Sequence, residues 1–136
     1  MTQTELPAGL VETRGAGTTA DAADRLAAAI DANEKLRLIA RVDHAAGADS
    51  VGLALTPTVE IFFGNPALGT PLMHIAPTVA IDLPQKILII ETDDGVRVLH
   101  NDPAYLAERH GIPTDTPQLA VVAGALQNLA NVAAGI

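Results

Sequence analysis

The chain has 136 residues, enough for one domain with a single hydrophobic core. Sixteen acidic against eight basic residues leave a formal charge of −8, which repels a phosphate backbone and excludes general nucleic-acid binding. The lack of cysteine excludes disulfides, thiolate nucleophiles and Cys-ligated zinc but names no compartment, so cytoplasm stands as the default expectation.

Hydrophobic residues make up 49% of the chain and aromatics only 2%, so the core must be built from Ala, Leu, Ile and Val, with Phe62, Phe63 and Tyr105 as rare large pieces. Residues 1–10 carry Glu5 and Pro7 without a basic start and apolar run, which argues against a secretory signal and for a chain that begins here. Residues 61–81 hold Gly64, Pro66, Gly69, Pro71 and Pro77, too many breakers for one spanning helix. Residues 116–136 hold Gln118, Gln127, Asn128 and Asn131, whose amides are costly in hydrocarbon, so no membrane association is expected.

Residues 1–18 read as a lead-in with a short strand at 10–13, and residues 19–136 as one α+β domain. Thr18 followed by Asp21 forms a capping pattern, and Leu26 and Ile30 lie one turn apart, so a first helix runs to about Asn33. Over residues 35–43 Leu36, Leu38, Ala40 and Val42 alternate with Arg37, Ile39 and Arg41, the period of a strand with one wet face. A short helix is expected over 44–51. A strand follows at 58–63 with Val59, Ile61 and Phe63 on one side.

Asn65-Pro66 and Thr70-Pro71 both signal helix starts, giving one kinked helix or two short turns that end before Pro77. Asp93-Asp94-Gly95 reads as a three-residue turn joining strands at 86–92 and 96–100, a register that sets Glu91 opposite Arg97. Asp102-Pro103 opens a helix that closes at Gly111. From about residue 116, Leu119, Val122, Leu126, Leu129 and Ala133 recur at spacings of three and four, and no charged side chain follows Asp115. An uncharged helix of this kind is expected to pack on the sheet with one face and on a partner subunit with another. The fold expected is α+β, an antiparallel or mixed sheet of about four to five strands with helices on one face.

Several motifs reduce to ordinary structure. Gly15-x-Gly17-x-x-Ala20 imitates a dinucleotide fingerprint, but the preceding Glu12, Thr13 and Arg14 are no buried strand. Ser50, the one serine, lacks the first glycine of a nucleophile elbow, and His44, His74, His100 and His110 have no metal-ligand spacing, so neither a metal nor a cofactor is expected. Two polar clusters at strand ends stand out, Asp43-His44 and His100-Asn101-Asp102. Between them Gly64-Asn65-Pro66 presents a helix start where backbone N–H groups can meet an anion, although Asn65 and Asp102 also suit simple capping.

The runs Asp43-His44-Ala45-Ala46, Val51-Gly52-Leu53, Phe63-Gly64-Asn65-Pro66, Gly69-Thr70-Pro71-Leu72-Met73, Asp82-Leu83-Pro84 and Asn101-Asp102-Pro103 through Tyr105-Leu106 to His110-Gly111 resemble, in order, the signature of the domain of unknown function 302 family. The resemblance implies a compact α+β fold with helices on one face of an antiparallel sheet, commonly a homodimer, and implies no established reaction. The functional expectation is a homodimeric binding module holding a small or anionic ligand near Asp43, His44, Gly64, Asn65, Thr70 and Asn101. Two alternatives are an enzyme with His44 or His100 as general base beside a carboxylate, and an interaction domain that docks through its C-terminal helix.

Overall fold

The computed structural model describes residues 6–136; the expectation about residues 1–10 therefore concerns a stretch whose first five residues lie outside those described. Strands β1 (Leu10–Gly15), β2 (Arg37–Asp43), β3 (Thr58–Gly64), β4 (Gln85–Thr92) and β5 (Gly95–Asn101) form one sheet in the order β1-β5-β4-β3-β2. Every neighbouring pair is antiparallel. The lead-in thus supplies an edge strand. Helices are α1 (Thr19–Asp31), α2 (His44–Asp49), α3 (Pro66–Ile75), α4 (Pro103–His110) and α5 (Pro117–Ala134), with a 3-10 helix at Pro77–Asp82. Among the described residues no helix is long and apolar enough to cross a membrane.

The period of two in β3, β4 and β5 sends Val59, Ile61, Phe63, Ile87, Ile89, Val96 and Val98 to one face, where they meet Ala22, Ala23, Leu26 and Ile30 of α1 and Val122, Leu126, Leu129, Ala130 and Ala133 of α5. Alanine on both helices lets them lie close to the sheet and to each other. At the end of α5 a Cβ on Gly15 would overlap the Ala134 backbone, so only glycine lets β1 pass there. A second apolar cluster, Leu72, Ala76, Val79, Ala107, Ile112 and Leu119, joins α3, the 3-10 helix, α4 and the start of α5.

The β4–β5 hairpin corrects the register read from the sequence. Its turn is the two residues Asp93-Asp94, with Thr92 paired to Gly95, so Glu91 faces Val96 and Arg97 faces Ile90. A one-residue slip exchanges the faces of a strand. The expected register would have carried Arg97 under the helices; the observed one places Val96 and Val98 there and frees Arg97 for an ion pair with Glu12 of β1 on the far face. Glu91, now on the helix side, accepts a hydrogen bond from the Thr19 backbone N–H at 2.9 Å and caps α1 together with Thr18.

Strand β2 also departs from expectation. A bulge between Leu38 and Ala40 inserts Ile39, and as the outer strand β2 is wet on both faces, with Ile39 58% exposed. The proline-rich segment after β3 forms one ten-residue helix, α3, that keeps Pro71 inside it.

Candidate functional site

Where β2, β3 and β4 end beside α3 and α5, the packing leaves an open cavity of about 500 Å3. Its origin is local. α3 leaves the sheet immediately after Gly64, because Asn65 adopts an extended conformation and its side chain accepts from the Ala67 N–H at 3.1 Å, while Pro66 fixes the first helical turn. The chain then returns through the 3-10 helix and a cis Leu83–Pro84 bond into β4. α3 is thereby held off the sheet end and the space between stays unfilled.

The floor consists of buried Phe63, Leu72, Val122 and Leu126, and the walls of Leu36, Leu68, Met73, Leu83 and Pro84. Among the described residues the polar side chains of the lining are Arg37, Asn65, Thr70 and Gln85, at the rim. Among the described residues Arg37 has no ion-pair partner, and no side-chain hydrogen bond involves Thr70 or Gln85. Small residues keep the mouth open: a Cβ on Gly64 would stand 3.5 Å from Ile39 Cδ1, and one on Gly69 3.6 Å from Leu83 Cδ1. An apolar, partly preformed space with a few uncommitted polar groups at its edge suits a small ligand.

Of the residues singled out in the sequence, Gly64, Asn65 and Thr70 line this cavity. Asp43 and His44 lie at the other end of β2: Asp43 pairs with Val59, whereas Arg37 pairs with Gly64, a separation of about 20 Å along the strand. Asp43 caps α2 by accepting from the Ala46 N–H at 2.9 Å. Asn101 sits on β5 opposite Leu10 and does not line the cavity. The helix start at Asn65 offers an anion little, because the Ala67, Leu68 and Gly69 N–H groups already donate to Asn65.

Of the two histidines named in the acid–base expectation, His44 stands beside a carboxylate. His44, exposed, has Nε2 3.1 Å from Glu60 Oε1. His100 is buried; its Nδ1 donates to the Asn101 carbonyl at 2.9 Å, and among the described residues its Nε2 has no hydrogen-bond partner. A third pairing was not foreseen. His110 Nε2 lies 2.5 Å from Asp82 Oδ2 and its Nδ1 2.8 Å from Thr78 Oγ1, while Arg109 donates to both Asp82 oxygens at 3.0 Å. This cluster fastens the 3-10 helix to α4 and so fixes the Leu83–Pro84 wall of the cavity.

Architecture and cavity together define a small α+β domain with a five-stranded antiparallel sheet, helices on one face and a ligand-sized apolar space at the sheet end. The chain belongs to the family described as Domain of unknown function DUF302, whose model matches residues 11–135. It is 40% identical over 122 residues to the fluoride-specific ion channel FluC 1 of Brucella suis biovar 1 (strain 1330), a match covering 88% of this chain and 48% of that protein. A protein of the same name from Brucella abortus biovar 1 (strain 9-941) matches at 40% identity over 88% of this chain and 45% of its own length. The chain thus spans about half the length of the curated relatives it matches. Its fold is shared with an uncharacterized conserved DUF302 protein of Bacillus stearothermophilus, at TM-score 0.81 and 15% identity over 93% of this chain and 99% of that one.

Proposed function

We propose that the domain is a binding module that takes a small, largely apolar ligand into the cavity between α3, α5 and the ends of β2, β3 and β4. The observation that carries this reading is the combination of about 500 Å3 of apolar space with Arg37, Thr70 and Gln85 at its rim, whose side chains have no ion-pair or side-chain hydrogen-bond partner among the described residues. Transfer of apolar surface from water into such a space supplies the driving force, and the polar rim sets orientation. The chain has no tryptophan, so uptake of a fluorescent apolar probe is read against a low background. Anilinonaphthalene sulfonate should brighten on adding the native protein and should lose that response with Gly69→Leu or Ala125→Phe, which fill the space from α3 and α5. Equal brightening in the filled variants, with far-UV circular dichroism unchanged, would defeat the reading.

A second reading, an interaction domain docking through α5, is favoured by the exposed, uncharged side of that helix, where Val121 is 54% and Val132 38% exposed. The relatives named as ion channels carry a matching stretch on a chain about twice as long, which supports a domain that works beside another unit. The two readings are compatible, since α5 lines the cavity with Val122, Ala125 and Leu126 and presents its other side outward. Val121→Glu should abolish docking while leaving probe uptake intact.

A further inference from the structure

We infer that the cavity's ligand is a single-chain carboxylate, an aliphatic tail held in the apolar space with its head group on Arg37. This rests on the reading of the cavity as a binding site and names the chemistry of what it binds.

The cations of the chain are unevenly committed. The chain has six arginines, and among the described residues five are engaged: Arg14 and Arg97 with Glu12, Arg41 with Asp24, Arg109 with Asp82, and Arg25 with the Val132 and Ala133 carbonyls. Arg37 alone has no anion and no carbonyl, and it is the one lining residue with a charge. In a chain of sixteen acidic residues, a cavity rim that among the described residues has one cation and no carboxylate selects for an incoming anion. A guanidinium offers a carboxylate two parallel donors.

The size and lining of the space suit an aliphatic tail. At roughly 30 Å3 per packed non-hydrogen atom, the share of a water molecule in the liquid, the 500 Å3 holds on the order of 15 atoms, a chain of about ten to fourteen carbons with its head group. Phe63 is the one aromatic side chain in the lining, so a flat aromatic or nucleobase finds no stacking pair, whereas Leu36, Ile39, Leu68, Leu72, Met73 and Leu83 offer the contacts an aliphatic tail needs. A phosphate or diphosphate would ask for more positive charge and for free backbone donors. The rim has one cation, and the α3 N-terminus is satisfied by Asn65.

The experiment is calorimetric titration of octanoate, decanoate, dodecanoate and 1-dodecanol, below their aggregation limits, into the native protein, Arg37→Gln and Lys35→Gln. Affinity should rise about fourfold per methylene along the acids, the increment for burying one CH2. Dodecanoate should exceed dodecanol by about ten- to a hundredfold, the range for a hydrogen bond to a charged group. Arg37→Gln should erase that difference, and Lys35→Gln, which neutralises an exposed cation outside the lining, should keep it. Arg37 is an exposed residue of an edge strand, so its replacement leaves the fold intact, checked by an unchanged melting temperature. Dodecanol binding as tightly as dodecanoate would overturn the carboxylate and leave the cavity reading standing. Binding of neither would overturn both, and equal losses in the Arg37 and Lys35 variants would replace a specific head-group contact with general charge attraction.

Discussion

Gly64 on β3 stands directly opposite Arg37 on β2, so the one charged residue of the cavity rim faces a position without a side chain. The missing Cβ leaves the passage between Ile39 Cδ1 and Pro84 Cβ open, at 3.5 and 3.9 Å from where that atom would be. Both are ordinary contact distances. Gly64→Ala should therefore fold with a stability change within about 0.5 kcal/mol, as for a substitution that meets no clash. Gly64→Val should narrow the mouth further. Stopped-flow mixing with anilinonaphthalene sulfonate should show association slowing from native to Ala to Val; unchanged rates would place the entrance elsewhere.

Gly69 presents the opposite trade. It lies inside α3, where glycine loses more backbone entropy than alanine, and its missing Cβ would lie 3.6 Å from Leu83 Cδ1. Gly69→Ala should stabilise the domain by about 0.5–1 kcal/mol through helix propensity. Urea denaturation should show a higher midpoint at constant slope. The added methyl takes space from the cavity, so probe affinity should fall as stability rises.

The hairpin register also has a measurable consequence. Because Arg97 faces away from α1 and α5, it donates to Glu12; that hydrogen bond is the chief reason the Glu12 carboxyl titrates below its ordinary value of 4.5, with the charges of Arg97 and Arg14 helping and burial opposing. A carboxyl whose folded value is depressed stabilises the fold fully above its unfolded value and loses that contribution as pH falls through the folded value. The difference in melting temperature between native protein and Glu12→Gln should thus be constant above about pH 5 and shrink below about pH 4.5. A difference that grows on acidification would contradict the pairing.

Much of this was legible in the chain because the signals were local. Thr18, Asn65 and Asp102 each cap the helix they precede, and Leu119, Val122, Leu126 and Leu129 form the buried seam of α5. What escaped was set by distance in sequence. The turn after Thr92 can be counted as two residues or three from Asp93-Asp94-Gly95 alone, and only the need to bury Val96 and Val98 beside Ile87 and Ile89 decides it. Asp82 and His110 are 28 positions apart and meet because the 3-10 helix packs on α4. The cavity was hidden more thoroughly, since Leu68, Leu72, Leu83 and Leu126 read equally well as core. Of the positions chosen, Gly64, Asn65 and Thr70 share one segment and line one cavity, while Asp43 and Asn101 share only the property of ending a strand and His44 opens α2.

Residues 31–58 include no buried residue, although they contain β2 and α2. Within them Ile39, Val51, Leu53 and Leu55 are 58%, 71%, 64% and 48% exposed, and among the described residues β2 has a neighbouring strand on one side only. An open strand edge is a template for pairing with another chain, and exposed apolar groups add area that such a contact can bury. A second copy is the occupant we propose, giving about 28 kDa by light scattering at micromolar concentration against 14.0 kDa for one chain. Leu53→Glu should lower the mass to that of a monomer by setting two carboxylates against each other across a two-fold contact. Leu53 is exposed and outside both core clusters, so under conditions where both are monomeric the two proteins should melt together. A native mass of 14 kDa would refute the dimer, and an unaltered 28 kDa in the variant would move the contact to another face, with the exposed side of α5 the next surface to test.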